Sequence, residues 1–235
     1  MELDLAKQII SDSKNIYLIT SQNPEAIACV LSLFYSLKES GKNVNLIIDS
    51  LPENLRFLSP SLDFISYPKN FVISVPESVA KISQIYYEKN PESLKIHLTL
   101  ENGNIKKDNV AFYFSENKPD LIITVGVQDY AKILPEMLDQ YAFLLDSPIL
   151  NIDNSPDNKK FGKINLTEQK SLAETASHLA GSDKKEYANC LLCALVIYTD
   201  NFKKNVTAEL FQIAADLMKK GANLKEITEN LANEK

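Results

Sequence analysis

The chain has 235 residues, 45% apolar and 24% charged, with a formal net charge of −6. That supports one large domain with a sizeable core and excludes a low-complexity or fibrous chain. Arg56 is the one arginine among 25 basic residues; since arginine grips phosphate and guanine bidentately, this acidic chain is not expected to carry an extended nucleic-acid surface. The Lys-, Asn- and Ile-rich usage also fits an AT-rich genome.

No stretch reaches the roughly 18 apolar residues of a membrane span, and the opening MELDLAKQ lacks the pattern of a signal peptide. No membrane association is expected. Three cysteines, an odd number, fit a reducing cytoplasm. Cys190 and Cys193 form a C-x-x-C within the apolar NCLLCALVIY. No second Cys/His pair completes a zinc site, so both read as buried core thiols.

In chain order, residues 2–13 predict an amphipathic helix with Leu3, Leu5, Ile9 and Ile10 inward. Ile16–Thr20 predicts a buried strand. Asn23-Pro24 opens a helix whose apolar positions are Ile27, Val30, Leu31, Phe34 and Leu37, and Gly41 ends it. Val44–Ile48 closes a βαβ unit, which implies parallel pairing. Residues 52–58 predict a short helix and Phe71–Val75 a strand. The stretch 82–114 alternates instead. It predicts a hairpin turning at Asn90-Pro91-Glu92-Ser93, a second turn at Glu101-Asn102-Gly103-Asn104, and a strand over Val110–Phe114. One of Tyr86 and Tyr87 should pack inward and the other face solvent. Asp120–Val125 resumes the parallel core, Leu134–Leu145 is helical, and Ile149–Ile152 is a further strand. The rest reads as helices near 168–180, 184–199, 207–219 and 224–233.

The expected fold is therefore α/β: a mostly parallel sheet with helices on both faces, an antiparallel extension near 82–114, and a helical C-terminal third, all in one domain, 1–235. Ligands in open α/β sheets are held at strand ends. Three stretches follow strand ends and a fourth follows a helix. The first strand runs into Thr20-Ser21-Gln22-Asn23-Pro24-Glu25-Ala26-Ile27. Ile122–Val125 ends in Gly126, with Asp129 three residues on. Ile149–Ile152 delivers Asp153-Asn154-Ser155-Pro156, followed by Asn158, Phe161-Gly162 and Ile164-Asn165-Leu166. After a helix comes Thr199-Asp200-Asn201-Phe202.

These stretches resemble the four motifs of the DHH phosphoesterases, of the RecJ-like, nano-RNase and 3′-phosphoadenosine-phosphate phosphatase type. The downstream Thr207, Glu209-Leu210, Ile213-Ala214-Ala215, Leu217 and Gly221-Ala222 match as well, so the resemblance spans about residues 2–225. Active members bind two Mn²⁺-type ions, which clamp the attacking and leaving oxygens of a phosphodiester and acidify a bound water. Their first motif is Thr-His, then Asn-Pro-Asp-Gly-Asp-Ala-Ile. Here Ser21 replaces the histidine, Glu25 replaces the first aspartate, and two residues are missing. Gly126 ends the strand that should end in Asp. The third motif, Asp-His-His, keeps Asp153 and has Asn154 and Ser155 for its histidines. The fourth, typically Thr-Asp-Thr-Gly-x-Phe, keeps Asp200 and is two residues shorter. The family's C-terminal substrate-binding domain, with its Gly-Gly-His motif, is expected to be absent.

The resemblance thus implies the framework without the chemistry. Ser21, Asn23, Glu25, Gly126, Asp153, Asn154, Ser155 and Asp200 would line a vestigial cleft, and Glu25, Asp153 and Asp200 are the remaining metal-ligand candidates. Asp153 and Asp200 read equally as local backbone caps. His97, in the hairpin, and His178, in AETASHLAG, read as structural. The expectation is a catalytically degenerate DHH phosphoesterase-like protein, cytoplasmic, without a cofactor, acting by binding or assembly as a homodimer or with an unidentified protein partner. The alternative is a Mn²⁺- or Mg²⁺-dependent phosphoesterase on short oligonucleotides or 3′-phosphoadenosine phosphate with a rebuilt site. No glycine-rich loop supports a third reading, a nucleotide sensor.

Overall fold

The computed structural model describes residues 2–48, 50–59, 69–116, 119–137, 146–168 and 170–232. In chain order its elements are α1 (Glu2–Asp12), β1 (Asn15–Thr20), α2 (Pro24–Glu39), β2 (Asn43–Ile47), a 3₁₀ turn at Glu53–Leu58, β3 (Lys69–Ser74), β4 (Ala80–Lys89), β5 (Leu94–Gly103) and β6 (Ala111–Glu116). Then come β7 (Leu121–Val125), α3 (Tyr130–Met137), β8 (Ile149–Ile152), β9 (Ile164–Leu166), α4 (Leu172–Leu179), α5 (Lys185–Tyr198), α6 (Ala208–Lys219) and α7 (Leu224–Ala232). They fall into two units: Met1–Tyr67 with Lys118–Lys235, and Pro68–Asn117.

The larger unit is built on a five-stranded sheet in the order β2-β1-β7-β8-β9. Every pairing in it is parallel. Parallel strands need crossovers and cover on both faces, which is why their sequences are near-continuous apolar runs. Ile16, Leu18, Ile123 and Ile152 turn to one face and pack with α2, α4 and α5. Tyr17, Ile19 and Ile122 turn to the other, where Tyr130, Ile133 and Leu134 of α3 meet them.

Two helices fill the larger core. In α2 residues 25–34 are buried without a break, as expected of a helix enclosed on all sides. The Asn23 side chain caps it by accepting from the Glu25 N–H at 2.9 Å, Pro24 occupies the first turn, and Gly41 follows at φ 77°. Cys190 and Cys193 of α5 are buried and free. Burial pushes the Cys193 thiol up to about 12 and the Cys190 thiol well above its usual value. Neither is poised for redox or metal chemistry.

Several expectations are corrected. Leu5 is exposed, because Leu3, Ala6 and Ile10 share the inward face of α1 and Leu5 lies on its far side. The third helix starts at Tyr130 rather than Leu134: Asp129 accepts from the Ala131 N–H at 3.1 Å and so opens it. Residues 138–145 of that expected helix lie outside the described residues. Glu101–Gly103 continue β5 instead of turning, and Gly103 (φ 88°) lies so close to Ala80 that a Cβ would stand 2.6 Å from its Cα.

The smaller unit consists of two antiparallel ribbons, β3–β6 and β4–β5, each a two-stranded sheet of its own. The insertion is therefore antiparallel as expected, and among the described residues its strands form sheets of their own rather than an extension of the parallel one. Asn90 makes the β4–β5 turn: its side-chain oxygen accepts from the N–H groups of Glu92 and Ser93. Tyr86 and Tyr87 are both exposed, contrary to the expectation of one inward. No helix among the described residues is long and apolar enough to cross a membrane.

Candidate functional site at the strand ends

The C-terminal ends of β1, β7, β8 and β9 are laced together by backbone bonds. Ser21 N–H donates to Val125 O, Gly126 N–H to Ile152 O, and Asp153 N–H to Leu166 O. This brings Ser21, Gly126 and Asp153 into one row, with Glu25 arriving from the first turn of α2.

Glu25 is 6% exposed. Its Oε1 accepts from the Leu172 N–H at 2.8 Å and the Ser171 hydroxyl at 3.1 Å, and its Oε2 from the Asn154 amide at 3.3 Å. Ser171 is itself the N-cap of α4, accepting from the Ala173 N–H. A carboxylate at a helix start is favoured by unpaired N–H groups and the helix dipole. Glu25 thus ties α2 to the head of α4. Burial pushes its carboxyl above the ordinary range; the three hydrogen bonds oppose the rise and the Asp153 charge adds to it.

Asp153 is 4% exposed. Its Oδ1 accepts from the Asn154 N–H at 2.9 Å and its Oδ2 from the Asn158 amide at 2.7 Å. Asn158 also donates to Val127 O at 2.9 Å, while its oxygen accepts from Asn151 at 2.8 Å and from the Lys160 N–H at 2.7 Å. Behind it, Asn151 accepts from the Thr124 hydroxyl at 3.1 Å and donates to Asn165 at 3.3 Å. A polar ladder therefore runs from the sheet interior to Asp153. Asn151, Asn158, Asn165, Thr124 and Ser171 were not among the expected site residues. The available signal was an Asn in the middle of two otherwise apolar strands, ILNI and INL.

The remaining candidates divide. Gly126 has φ 67°, and a Cβ on it would stand 2.6 Å from the Ala26 Cβ and 3.0 Å from the Ser21 Oγ. The position is closed to any side chain. The Ser21 Oγ accepts weakly from the Asn23 N–H at 3.4 Å, and the Ser155 Oγ accepts from the Asp157 N–H. Asp200 is exposed in a left-handed turn with Asn201 and Phe202, at φ 49°, 57° and 60°. Among the described residues no group of three or more His, Cys, Asp or Glu side chains is arranged to hold a metal ion. Glu25 and Asp153 are brought together, then, and Asp200 does not complete a set with them. His97 stacks on Tyr86 at 4.5 Å and lies 3.7 Å from Glu88. His178 lines a cavity of about 240 Å³ with Leu3 and Leu166; neither Glu25 nor Asp153 borders it.

The resemblance implies divalent cations here, and these residues do not fit a pair of them. Glu25 and Asp153 are the two carboxylates brought together, Ser21, Asn154 and Ser155 add no imidazole, and the Gly126 position admits no side-chain ligand, which is too few hard or nitrogen ligands for two ions.

No family model matches the sequence, and no curated protein matches it. Comparison with solved structures gives the class: an α/β fold shared with a solved neighbour. That neighbour is an exopolyphosphatase-related protein from Bacteroides fragilis, with a TM-score of 0.67 and 18% identity. The match covers 100% of this chain and 61% of that one, so the chain spans less than two thirds of the neighbour's length. At this identity the likeness is one of fold.

Proposed function

We propose that this chain is a catalytically degenerate DHH phosphoesterase-like protein, working in the cytoplasm by binding or assembly rather than by hydrolysis. One observation carries the reading. Glu25, at the position of the family's first aspartate, spends its carboxylate on the Ser171 hydroxyl and the Leu172 N–H at the head of α4. With Glu25 tied to α4, no side chain possible at Gly126 and no imidazole beside Asp153, the row offers too few ligands for a pair of hard cations. The fold of the neighbour supports the framework half of the proposal.

The test is turnover. Purified chain with Mn²⁺ or Mg²⁺ is incubated with di- and trinucleotides and with 3′-phosphoadenosine phosphate. The expected result is no metal-dependent product above the protein-free background. Turnover that disappears in both Asp153→Ala and Asp200→Ala would establish a rebuilt metal-dependent phosphoesterase in its place.

A further inference from the structure

We propose that the apolar face of the β4–β5 ribbon is the seat of a second copy of this chain, the two ribbons packing face to face about a two-fold axis. This goes beyond the reading of the strand ends, and it would stand even if that cleft proved hydrolytic.

The register sorts the ribbon into two unlike faces. Ile85 stands opposite Leu98, Tyr87 opposite Ile96, and Lys89 opposite Leu94. Ile82 and Leu100 extend that face past the irregularity at residues 82–84. Seven of these eight side chains are apolar. The other face pairs Gln84 with Thr99, Tyr86 with His97, and Glu88 with Lys95. Such segregation is the mark of a sheet with one buried side.

Among the described residues that side is largely exposed: Ile82, Leu98 and Leu100 are half-buried and the other side chains exposed. Ile85 is 68% exposed, Tyr87 71%, Leu94 59% and Ile96 47%. Among residues 72–112, whose side chains are described, Ala80 alone is buried. A two-stranded ribbon with no packed face is marginal in water, so the smaller unit needs cover that its described side chains do not provide.

Charge and area choose the occupant. Lys81 pairs with Glu101 at 2.9 Å and Glu88 stands opposite Lys95, and with Lys89 and Glu92 the ribbon carries three charges of each sign. No unpaired field selects a strongly charged partner. The apolar face carries one charge, Lys89, at its turn end. An antiparallel two-fold keeps the two Lys89 side chains at opposite ends and sets Ile85, Tyr87 and Ile96 of one copy on the same residues of the other. That is the self-complementarity an isologous interface requires. Side chains of this size and exposure offer on the order of 500 Å² per copy, or about 1,000 Å² for the pair, the threshold of a specific interface.

Sedimentation velocity on the full chain at tens of micromolar tests this, with two double variants. Wild type is expected to be a dimer. Tyr87→Glu with Ile96→Lys should weaken dimerisation roughly a hundredfold or more, as loss of central anchors does, with the helical far-UV signal unchanged. Gln84→Lys with Thr99→Lys, on the polar face, should leave the dimer intact. A monomeric wild type overturns the proposal, as does a dimer that survives the apolar-face variant. If that variant loses its helical signal, hydrogen exchange of wild type across a dilution series decides. Amides of 82–100 should gain protection as concentration rises, and concentration-independent protection there overturns the proposal.

Discussion

Glu25 and Gly126 sit at the strand ends with defined local work: Glu25 holds the head of α4, and Gly126 packs against Ala26. Removing the Glu25 side chain as Glu25→Ala leaves the Leu172 N–H and Ser171 hydroxyl unmatched in a buried place, which should cost about 1–3 kcal/mol in denaturant unfolding. Glu25→Gln keeps an acceptor for Leu172 and should cost less. Its pH dependence is the sharper test. The folded-state pKa of Glu25 is raised above 4.5, so the native chain holds that proton more tightly than the unfolded one. Glu25 therefore contributes stability below pH 4.5 that is lost as pH rises through its raised folded-state pKa. Unfolding curves of wild type and Glu25→Gln, recorded below that window and at neutral pH, should show the variant gaining on wild type as pH rises. At Gly126, an alanine meets both a positive φ and the Ala26 side chain, and Gly126→Ala should destabilise by roughly 2–3 kcal/mol. A near-neutral result there would mean that the strand end has room for a side chain after all.

At the scale of elements, the parallel strands and enclosed helices were legible because burial on both sides writes long apolar runs: YLIT, LIITV and ILNI, with α2 and α5. The start of α3 was missed because Asp129 was matched to a motif position, outside the ligand set, and not read as a helix cap. The expectation of one inward Tyr in the hairpin failed because period-2 alternation says that two faces differ, not that either is covered. The Asn ladder went unread for a different reason. Read locally, Asn marks turns; Asn151, Asn158 and Asn165 meet only when β8, β9 and the loop between them have folded. Asn158 is the hub. Asn158→Ala takes the partner from Asp153 Oδ2, Asn151 and the Lys160 N–H together, and should cost about 2–3 kcal/mol. Asn158→Asp would set a second carboxylate 2.7 Å from Asp153 and should be worse at neutral pH than at pH 4. Thermal melts of both variants at the two pH values check this.

For the whole molecule, net charge −6 and one arginine leave little electrostatic attraction for a phosphate backbone. A labelled single-stranded oligonucleotide should show no anisotropy change with the chain at physiological salt, whereas saturable binding with a steep salt dependence would reveal a basic surface. The central claim is that the strand-end row holds too few ligands for a pair of divalent cations. Calorimetric titration of the chain with Mn²⁺ tests it most directly. The account predicts no two-site binding in the micromolar range or below, with Asp153→Ala indistinguishable from wild type. Two Mn²⁺ per chain bound at micromolar or tighter affinity, and lost in Asp153→Ala, would contradict it.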